Sequence, residues 1–405
     1  MKIAIFTDAY WPRVNGVSVS IDAFSHALLR LGHKVLIVCS EYPESMDLRR
    51  ISTEQEDEVR VEPEILQVSS FEFAISKEDR IAHAHKIFWV AKQVGLFAPD
   101  IIHLNSEFMI ASFGHYCAKH FKLPVVYTLH TLWEEYGLQY FPMFPIPFIR
   151  FIARTIFKYI LRCSDVVIAP TTQVIDVIKR YKIKKEIFLL PTGIDPKYLT
   201  FSSLQKESFR KRMEKIYPAL INKKILLFAG RITKEKNISF LLRILPSILK
   251  KRNDIVLLIV GNGPYHDELI KMSEELGIRD NCVFSGYLDR KDLGLAYTMS
   301  YMFVFPSLTE SQGLVTIEAM YSSIPVVAIG SMGTIMVMNG NNGGFMVEND
   351  EAEFTARVLD LLEDDALYQS KALEAREHSK SWLIDSMALK LIDIYQWTIK
   401  NYSVQ

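Results

Sequence analysis

The feature that most constrains the fold is a pattern of short apolar runs separated by helical periodicity, which occurs in two blocks. The runs of the first block lie at residues 2–6, 34–39, 101–104, 125–129, 166–169 and 187–190. Strands buried on both faces are almost continuously apolar, because helices between them cover those faces. The first block therefore predicts a parallel, doubly wound α/β domain.

The pattern begins again after a charged, helix-prone segment at residues 196–224. The runs of the second block lie at residues 225–229, 255–260, 282–285, 302–305, 325–329 and 345–347. We therefore expect two doubly wound domains, at residues 1–197 and 205–380, with an amphipathic helix at residues 385–405 completing the first. Ligands bind beyond the carboxyl ends of the strands in such sheets, so we expect a cleft site where two such ends face each other.

Charge and cysteine content limit the class of protein. The chain of 405 residues has a formal net charge of zero, so no global field attracts nucleic acid and we expect none as a partner. Its four cysteines show no CxxC spacing, and the first residues lack the basic-then-apolar order of a signal peptide. We expect a reduced, cytoplasmic protein.

The segment GRITKEKN, residues 230–237, lies between a predicted strand and a predicted helix. Gly230 permits a tight turn, while Arg231 and Lys236 supply two cations next to a helix N-terminus. Such a combination favours a phosphate or diphosphate site. The alternative is a solvated charged turn.

The segment PSLTESQGLVTIEAM, residues 306–320, carries two glutamates eight positions apart. Glu310 precedes the predicted helix and Glu318 lies inside it, so the two carboxylates are expected to bind different ends of one ligand. Carboxylates accept hydrogen bonds from vicinal hydroxyls, which makes sugar and ribose natural partners. The backbone amides of Gly313, Leu314 and Val315 could also meet an anion. Surface-helix glutamates are the alternative.

Three further loops are candidates. GNGP, which begins at Gly261, follows a strand, but His266 stands where a dinucleotide fingerprint needs a third glycine, so a nicotinamide dehydrogenase is disfavoured. Gly16 allows close backbone approach in the first loop, with Ser18 or Ser20 as a helix cap. His130 ends a predicted strand at the expected cleft. The chain has no Asp-x-Asp, so we expect no metal and no cofactor.

The segment FPMFPIPFIRFIARTIFKYILRC, residues 141–163, is the most apolar long stretch. Its uncharged core, residues 138–149, has twelve residues, short of the ~20 that a helical membrane span needs. Four cations recur at four-residue spacing, which predicts a basic stripe on a helix that could lie at an anionic membrane surface: Arg150, Arg154, Lys158 and Arg162. A core helix with a solvated basic edge is the alternative.

Six motifs, which occur along the chain in the order expected for the family, resemble the retaining glycosyltransferases of family four, which have the GT-B fold of two Rossmann-like domains. They are the Glu-x7-Glu of Glu310 and Glu318, the GR-x4-K of Arg231 and Lys236, VGNGP, FSGYL, VFPSLTE and PTGID. The sequence departs from the family pattern at Asn15, where a glycine usually precedes Gly16, and at Gln312 and Ser323. Only the first departure bears on catalysis.

The resemblance implies a role for each motif residue. Glu318 would bind the donor ribose, Arg231 and Lys236 the diphosphate, and Glu310 with the amides after it the donor sugar. The resemblance further implies that Tyr287 and Leu288 lie against the donor base. It places Gly16 near the phosphate and His130 beside the anomeric centre. Transfer with retention would proceed by front-face attack, in which the departing diphosphate helps to deprotonate the acceptor.

Two further segments, HLNSEF (103–108) and HTLWEEYGLQYF (130–141), resemble the bacterial diacylglycerol α-glucosyltransferases. Together with the basic stripe, this favours a lipid acceptor, UDP-glucose or UDP-galactose as donor, and peripheral association with the inner face of the cell membrane. A soluble or lipopolysaccharide-type acceptor and a non-catalytic sugar-nucleotide-binding protein remain as alternatives.

Overall fold

The computed structural model describes residues 1–13, 15–43, 61–73, 76–130, 146–180, 182, 184–310 and 312–403, without the side chains of residues 73, 76–78, 146–150 and 153. Residues 131–145, with most of the HTLWEEYGLQYF motif and the start of the apolar stretch, thus lie outside the described residues. The chain divides into two units. Unit 1 is Met1–Gly193 with Ile384–Gln405, and unit 2 is Ile194–Leu383.

Unit 1 is built on a seven-stranded sheet of order β3-β2-β1-β6-β7-β8-β9, in which neighbouring strands are parallel. Its strands are β1 (Lys2–Thr7), β2 (Lys34–Ser40), β3 (Glu64–Val68), β4 (Ser70–Phe73), β5 (Ser76–Ala82), β6 (Ile101–Leu104), β7 (Val125–Thr128), β8 (Val166–Ala169) and β9 (Glu186–Leu189). The helices among them are α1 (Gly16–Arg30), α2 (Ile87–Phe97), α3 (Met109–Phe121), α4 (Ile146–Cys163) and α5 (Thr172–Arg180).

The six strands predicted for the first block are all present. Their side chains, with those of α2 to α5, form one buried cluster that covers one face of the sheet. The sequence did not predict β3 or the antiparallel hairpin of β4 and β5. β3 is an edge strand whose Glu64, Ile65 and Gln67 are exposed, so it lacks the continuous apolar run of a strand covered on both faces.

Unit 2 repeats the doubly wound architecture with a six-stranded parallel sheet of order β12-β11-β10-β13-β14-β15. Its strands are β10 (Lys224–Ala229), β11 (Ile255–Val260), β12 (Cys282–Gly286), β13 (Met302–Phe305), β14 (Val326–Ile329) and β15 (Gly344–Val347). Its helices are α6 (Ser203–Ile216), α7 (Ile238–Lys251), α8 (His266–Glu275), α9 (Arg290–Met299), α10 (Leu314–Tyr321), α11 (Met332–Met338), α12 (Glu351–Glu363) and α13 (Asp365–Ser379). The prediction of two doubly wound parallel sheets is confirmed.

The last helix, α14 (Ile384–Asn401), belongs to unit 1. It packs against α1 through small side chains, which include Ala27 and Ala388. Arg30 pairs with Asp385 at 2.6 Å across the same contact. Unit 1 is therefore assembled from both ends of the chain.

Candidate active site

The sheet of unit 2 has its change of direction between β10 and β13, which are neighbours in space although two strands separate them in sequence. Ligands of open α/β sheets bind outside the carboxyl ends of the strands at such a point. The loop after β10 carries Arg231 and Lys236, and the loop after β13 carries Glu310. The topology therefore brings together charged residues that are more than seventy positions apart.

Lys236 and Glu310 form an ion pair at this point. The Nζ of Lys236 lies 2.9 Å from Oε2 of Glu310 and also donates to the carbonyl oxygen of Thr309 at 3.3 Å. Both charged side chains are largely buried, at 17% and 15% exposure. The other carboxylate oxygen, Oε1, accepts from the backbone amide of Gly313 at 3.1 Å. Glu310 is thus held by a cation on one side and by the start of α10 on the other.

Neighbouring groups remain available to a ligand. Arg231 is exposed and makes no ion pair with the described residues. Gly313 takes a left-handed φ of 73° as the residue before α10, and the amides of Leu314 and Val315 have no acceptor within the described residues. Among the described residues, two amides without an acceptor thus follow the Gly313 amide bound by Glu310, and Arg231 stands in the same loop as Lys236. This arrangement suits a diphosphate and a sugar.

Glu318 projects from α10 toward α9. The hydroxyl of Tyr297 donates to Oε2 of Glu318 at 3.2 Å, and the guanidinium of Arg290 lies 4.0 Å from Oε1. Burial raises the pKa of Glu318, and Arg290 and Tyr297 oppose that rise. Tyr287, 68% exposed, and the half-buried Leu288 follow β12. The two glutamates thus have different partners in the structure, while their binding to different ends of one ligand stays a prediction.

Glycines bring the loops of unit 2 into direct backbone contact. Gly261 has a φ of 136°, and a Cβ at this position would overlap the carbonyl oxygen of Gly230. The Gly261 amide donates to the carbonyl of Gly286, and the Gly230 amide donates to that of Val260. The loops after β10, β11 and β12 are thus fixed against one another. GNGP thus forms a tight turn packed against the neighbouring loops, and the donor contact predicted for Gly261 stays a prediction.

In unit 1, Gly16 is the first residue of α1. The helix cap is Asn15, whose side chain accepts from the amide of Ser18 while the Ser18 hydroxyl accepts from the amide of Asn15. The prediction of Ser18 or Ser20 as the cap was wrong, because the helix begins at Gly16 and both serines lie inside it. The Ser20 hydroxyl bonds that of Thr192 at 2.8 Å. A Cβ on Gly16 would meet nothing within 4 Å, so no contact with the described residues requires glycine there.

His130 lies just beyond β7 in a pocket lined by both polar and apolar side chains. The Nε2 of His130 donates to Oδ1 of Asn105 at 2.9 Å, and burial lowers the pKa of His130 to about 4. The neutral ring therefore presents an Nδ1 lone pair at neutral pH. The Nδ2 of Asn105, a residue that is 5% exposed, has no partner in the described structure. Sequence reasoning missed Asn105, although it stands in the HLNSEF motif.

Behind His130, buried polar groups connect β6, β7 and α14. His103 bonds the hydroxyl of Tyr395 through Nδ1 and that of Thr128 through Nε2, both at 2.7 Å. Burial, with a smaller contribution from His130, lowers the pKa of His103 to about 3. The pocket above these groups is lined also by Ser20, Phe24, Ile168, Pro170, Leu190 and Thr192. The buried side chains behind His130 are thus held in place by hydrogen bonds.

Helix α4 exposes the basic stripe together with large apolar side chains. Arg154, Lys158 and Arg162 are exposed, whereas the side chain of Arg150 lies outside the described residues. Phe151 and Tyr159 are 67% and 62% exposed, and Ile152 and Ile156 are also exposed. Phe157 and Ile160 of the same helix are instead buried in the core. No helix in the described part of the chain is both long and apolar enough to cross a bilayer.

Neighbouring helices extend this surface. On α2, Phe88 and Trp89 are 71% and 42% exposed. The ring of Phe88 packs edge-on against that of Tyr116 on α3, with 5.8 Å between the ring centroids. The rings of His115 on α3 and Tyr159 on α4 have centroids 6.4 Å apart. Residues 84–99, 108–122 and 146–163 contain no Asp or Glu and eight cations: Lys86, Lys92, Lys119, Lys122, Arg150, Arg154, Lys158 and Arg162. We call the outer surface of α2, α3 and α4 the basic aromatic face.

Metal ligation has no evident centre in the described ranges, where no group of three or more His, Cys, Asp or Glu side chains could hold an ion. The cationic side chains of Arg231 and Lys236 are of the type that binds an anion directly.

Comparison with solved structures gives the class. HepE of Anabaena in complex with UDP and glucose aligns with a TM-score of 0.73, 14% identity and coverage of 98% of this chain and 100% of that one. A glycosyltransferase from Rickettsia africae aligns with a TM-score of 0.74, 20% identity and coverage of 99% of both chains. The protein therefore has the GT-B fold of glycosyltransferases.

Sequence comparison gives the family. The model of Glycosyltransferase Family 4 matches residues 14–198, and that of Glycosyl transferases group 1 matches residues 209–380. The alpha-monoglucosyldiacylglycerol synthase of Streptococcus pneumoniae is 31% identical over 82% of this chain and 71% of its own length. That of Acholeplasma laidlawii is 25% identical over 97% and 98%. The chain therefore belongs to the glycosyltransferase family that contains these synthases.

Proposed function

We propose that the protein is a retaining, metal-independent hexosyltransferase that moves glucose from UDP-glucose to a membrane lipid of the diacylglycerol type. UDP-galactose is the alternative donor. The two alpha-monoglucosyldiacylglycerol synthases match most of the chain, and HepE, which shares the fold, was solved with UDP and glucose. The product would be an α-glycosyl lipid, made by a protein held peripherally at the inner face of the cell membrane.

The observation that carries the donor assignment is the group of charges at the change of direction in the sheet of unit 2. Arg231 offers the diphosphate a guanidinium that makes no ion pair with the described residues. The amides of Leu314 and Val315, which have no acceptor among the described residues, add donors at the start of α10. Glu318, buried on α10, offers carboxylate oxygens to ribose hydroxyls. A nucleoside-diphosphate sugar matches this series of groups from end to end.

Lys236 and Glu310 are assigned roles that their ion pair makes interdependent. A diphosphate would bind the ammonium of Lys236 in place of Glu310, whose carboxylate now pairs with it at 2.9 Å. The released carboxylate oxygen could then accept from a hydroxyl of the donor sugar, while Oε1 stays on the Gly313 amide. Donor binding would thereby prepare the sugar contact at the same time as it neutralises the leaving group.

Catalysis would rest on stabilising the departing diphosphate with protein cations. Removing one preorganised donor of this kind costs ~3 kcal/mol in comparable sites, and Arg231 and Lys236 supply two. His130 would approach the anomeric carbon uncharged, because its pKa of about 4 leaves the ring neutral. Gly16, with open space above it, would admit the phosphate or sugar to the backbone of α1.

The basic aromatic face supports the lipid acceptor. Exposed Phe151 and Tyr159 could enter the headgroup boundary, while Lys158 and Arg162 meet anionic headgroups. Phe88 and Trp89 on α2 offer a second point of insertion. A protein of zero net charge that collects eight cations and no acid on three neighbouring helices and the residues flanking them is suited to an anionic bilayer.

The test is a transfer assay with purified protein, UDP-glucose or UDP-galactose, and diacylglycerol in anionic vesicles. We expect an α-linked hexosyl lipid, identified by mass spectrometry and by the anomeric proton coupling, and an unchanged rate in excess chelator. A β-linked product would refute retention, and loss of activity in chelator would refute metal independence. Transfer only to a soluble or lipopolysaccharide-type acceptor would refute the lipid assignment, and UDP binding without turnover would refute catalysis.

A further inference from the structure

Helix α9 presents two residues to Glu318 that the donor assignment has not used. Arg290 begins the helix, and Tyr297 follows seven residues later. Seven residues make about two turns of an α-helix, so both side chains lie on one face. That face meets α10, where the hydroxyl of Tyr297 and the guanidinium of Arg290 approach opposite oxygens of Glu318.

Tyr297 makes the shorter contact. Its hydroxyl donates to Oε2 of Glu318 at 3.2 Å, and its ring is fully buried and packs edge-on against Phe303 at 5.9 Å. Burial and the adjacent carboxylate raise the pKa of Tyr297 well above its ordinary value, so the phenol keeps its proton and acts as a donor. A rigid donor on one oxygen fixes the rotation of the carboxylate plane.

Arg290 acts at longer range. Its guanidinium lies 4.0 Å from Oε1 of Glu318, beyond hydrogen-bond distance, and it stacks over the ring of Tyr198 at 4.5 Å. The stack holds the cation where it favours an ionised Glu318 without occupying Oε1. That oxygen has no closer donor in the described part of the chain, so it is available to a ligand hydroxyl.

We propose that Tyr297 is a positioning residue for ribose recognition, which fixes one oxygen of Glu318 so that the other can accept from the ribose hydroxyls. Arg290 keeps the carboxylate in its accepting form. This inference rests on the ribose role proposed above for Glu318. It assigns to α9 the selection of ribonucleotide over deoxyribonucleotide donors.

The test compares the affinities for UDP and 2′,3′-dideoxy-UDP by titration calorimetry. Tyr297→Phe keeps the buried ring and removes only the hydroxyl. We expect UDP affinity to fall about tenfold, because the ribose hydrogen bond to the no longer fixed carboxylate is lost, while dideoxy-UDP affinity stays unchanged. The control is Tyr301→Phe, which removes a tyrosine hydroxyl that donates to the Leu361 carbonyl elsewhere in unit 2. It should leave both affinities unchanged.

Two further variants separate the possible failures. Glu318→Ala should abolish the preference for UDP, and adding Tyr297→Phe to it should have no further effect. If Glu318→Ala retains the preference, the ribose role of Glu318 fails and this inference with it. If Glu318→Ala abolishes the preference but Tyr297→Phe retains it, or weakens both nucleotides equally, the positioning role of Tyr297 alone is overturned.

Discussion

Membrane partitioning of the basic aromatic face should separate into a charge component and an apolar component. The charge component is removed by changing Arg154, Lys158 and Arg162 together to Ser. Each cation near an anionic surface contributes ~1 kcal/mol, so the triple change should cost ~3 kcal/mol, or about 150-fold in partition coefficient. The apolar component is removed by Phe151→Ser. With 67% of the side chain exposed and ~200 Å² in a phenylalanine, insertion buries ~130 Å² and contributes up to ~3 kcal/mol.

The two variants should respond differently to salt. Co-sedimentation with phosphatidylglycerol-rich vesicles is measured at low and high ionic strength, where the Debye length falls from ~30 to ~3 Å. The triple variant should differ from the wild type at low salt and match it at high salt. Phe151→Ser should lose a similar factor at both, because burial of apolar surface does not depend on screening.

The matched control removes three exposed lysines from a helix of unit 2. Lys206, Lys211 and Lys215 on α6 are exposed, and changing them to Ser gives the same change in net charge. This control should partition like the wild type. Equal losses in the two triple variants would show that only net charge matters. An equal loss of the α4 triple variant from wholly zwitterionic vesicles would refute the electrostatic reasoning.

The remaining predictions concern the two sites. Arg231→Ala should lower kcat ~100-fold with an unchanged unfolding midpoint, since Arg231 is exposed; a near wild-type rate contradicts its role. Glu310→Gln should bind UDP more tightly, because Lys236 loses its competing partner, yet transfer sugar more slowly; weaker UDP binding contradicts that competition. The pKa of His103 is lowered to about 3 in the folded protein. As pH falls below ~6.5, the unfolded chain therefore binds a proton at His103 that the folded protein does not, and ~2 kcal/mol of stability should be lost by pH ~5. In His103→Asn, denaturant titrations should show a decline smaller by that amount, and an equal decline refutes the assignment.

Much of the fold follows from burial on both faces of the sheets. Strands such as β1, with Ile3, Ala4 and Phe6 at 0% exposure, are continuously apolar and therefore recognisable. β3 escaped prediction because an edge strand of a parallel sheet is exposed and locally polar. In α4, apolar residues surround the helix, so periodicity could not tell that Phe157 packs inward while Phe151 faces solvent.

The candidate site was predictable in its residue types but not in its pairings. Local spacing brought out Arg231 and Lys236, because both stand in one short loop. The Lys236–Glu310 pair joins residues 74 positions apart, and only the neighbouring positions of β10 and β13 bring them together. Tyr297 and Asn105 went unnoticed for the same reason, since each acts through a partner on another element.

The placement of α14 has a consequence for biosynthesis. Unit 2 is one continuous segment that is synthesised before α14, whereas unit 1 lacks the helix that covers α1 until Ile384–Asn401 has been made. Emerging from the ribosome, unit 1 would leave Ala23 and Ala27 uncovered and His103 without the hydroxyl of Tyr395. Unit 1, most of which is synthesised first, is therefore expected to finish folding last. A stop codon before Ile384 should leave unit 1 incompletely folded and bound by chaperones.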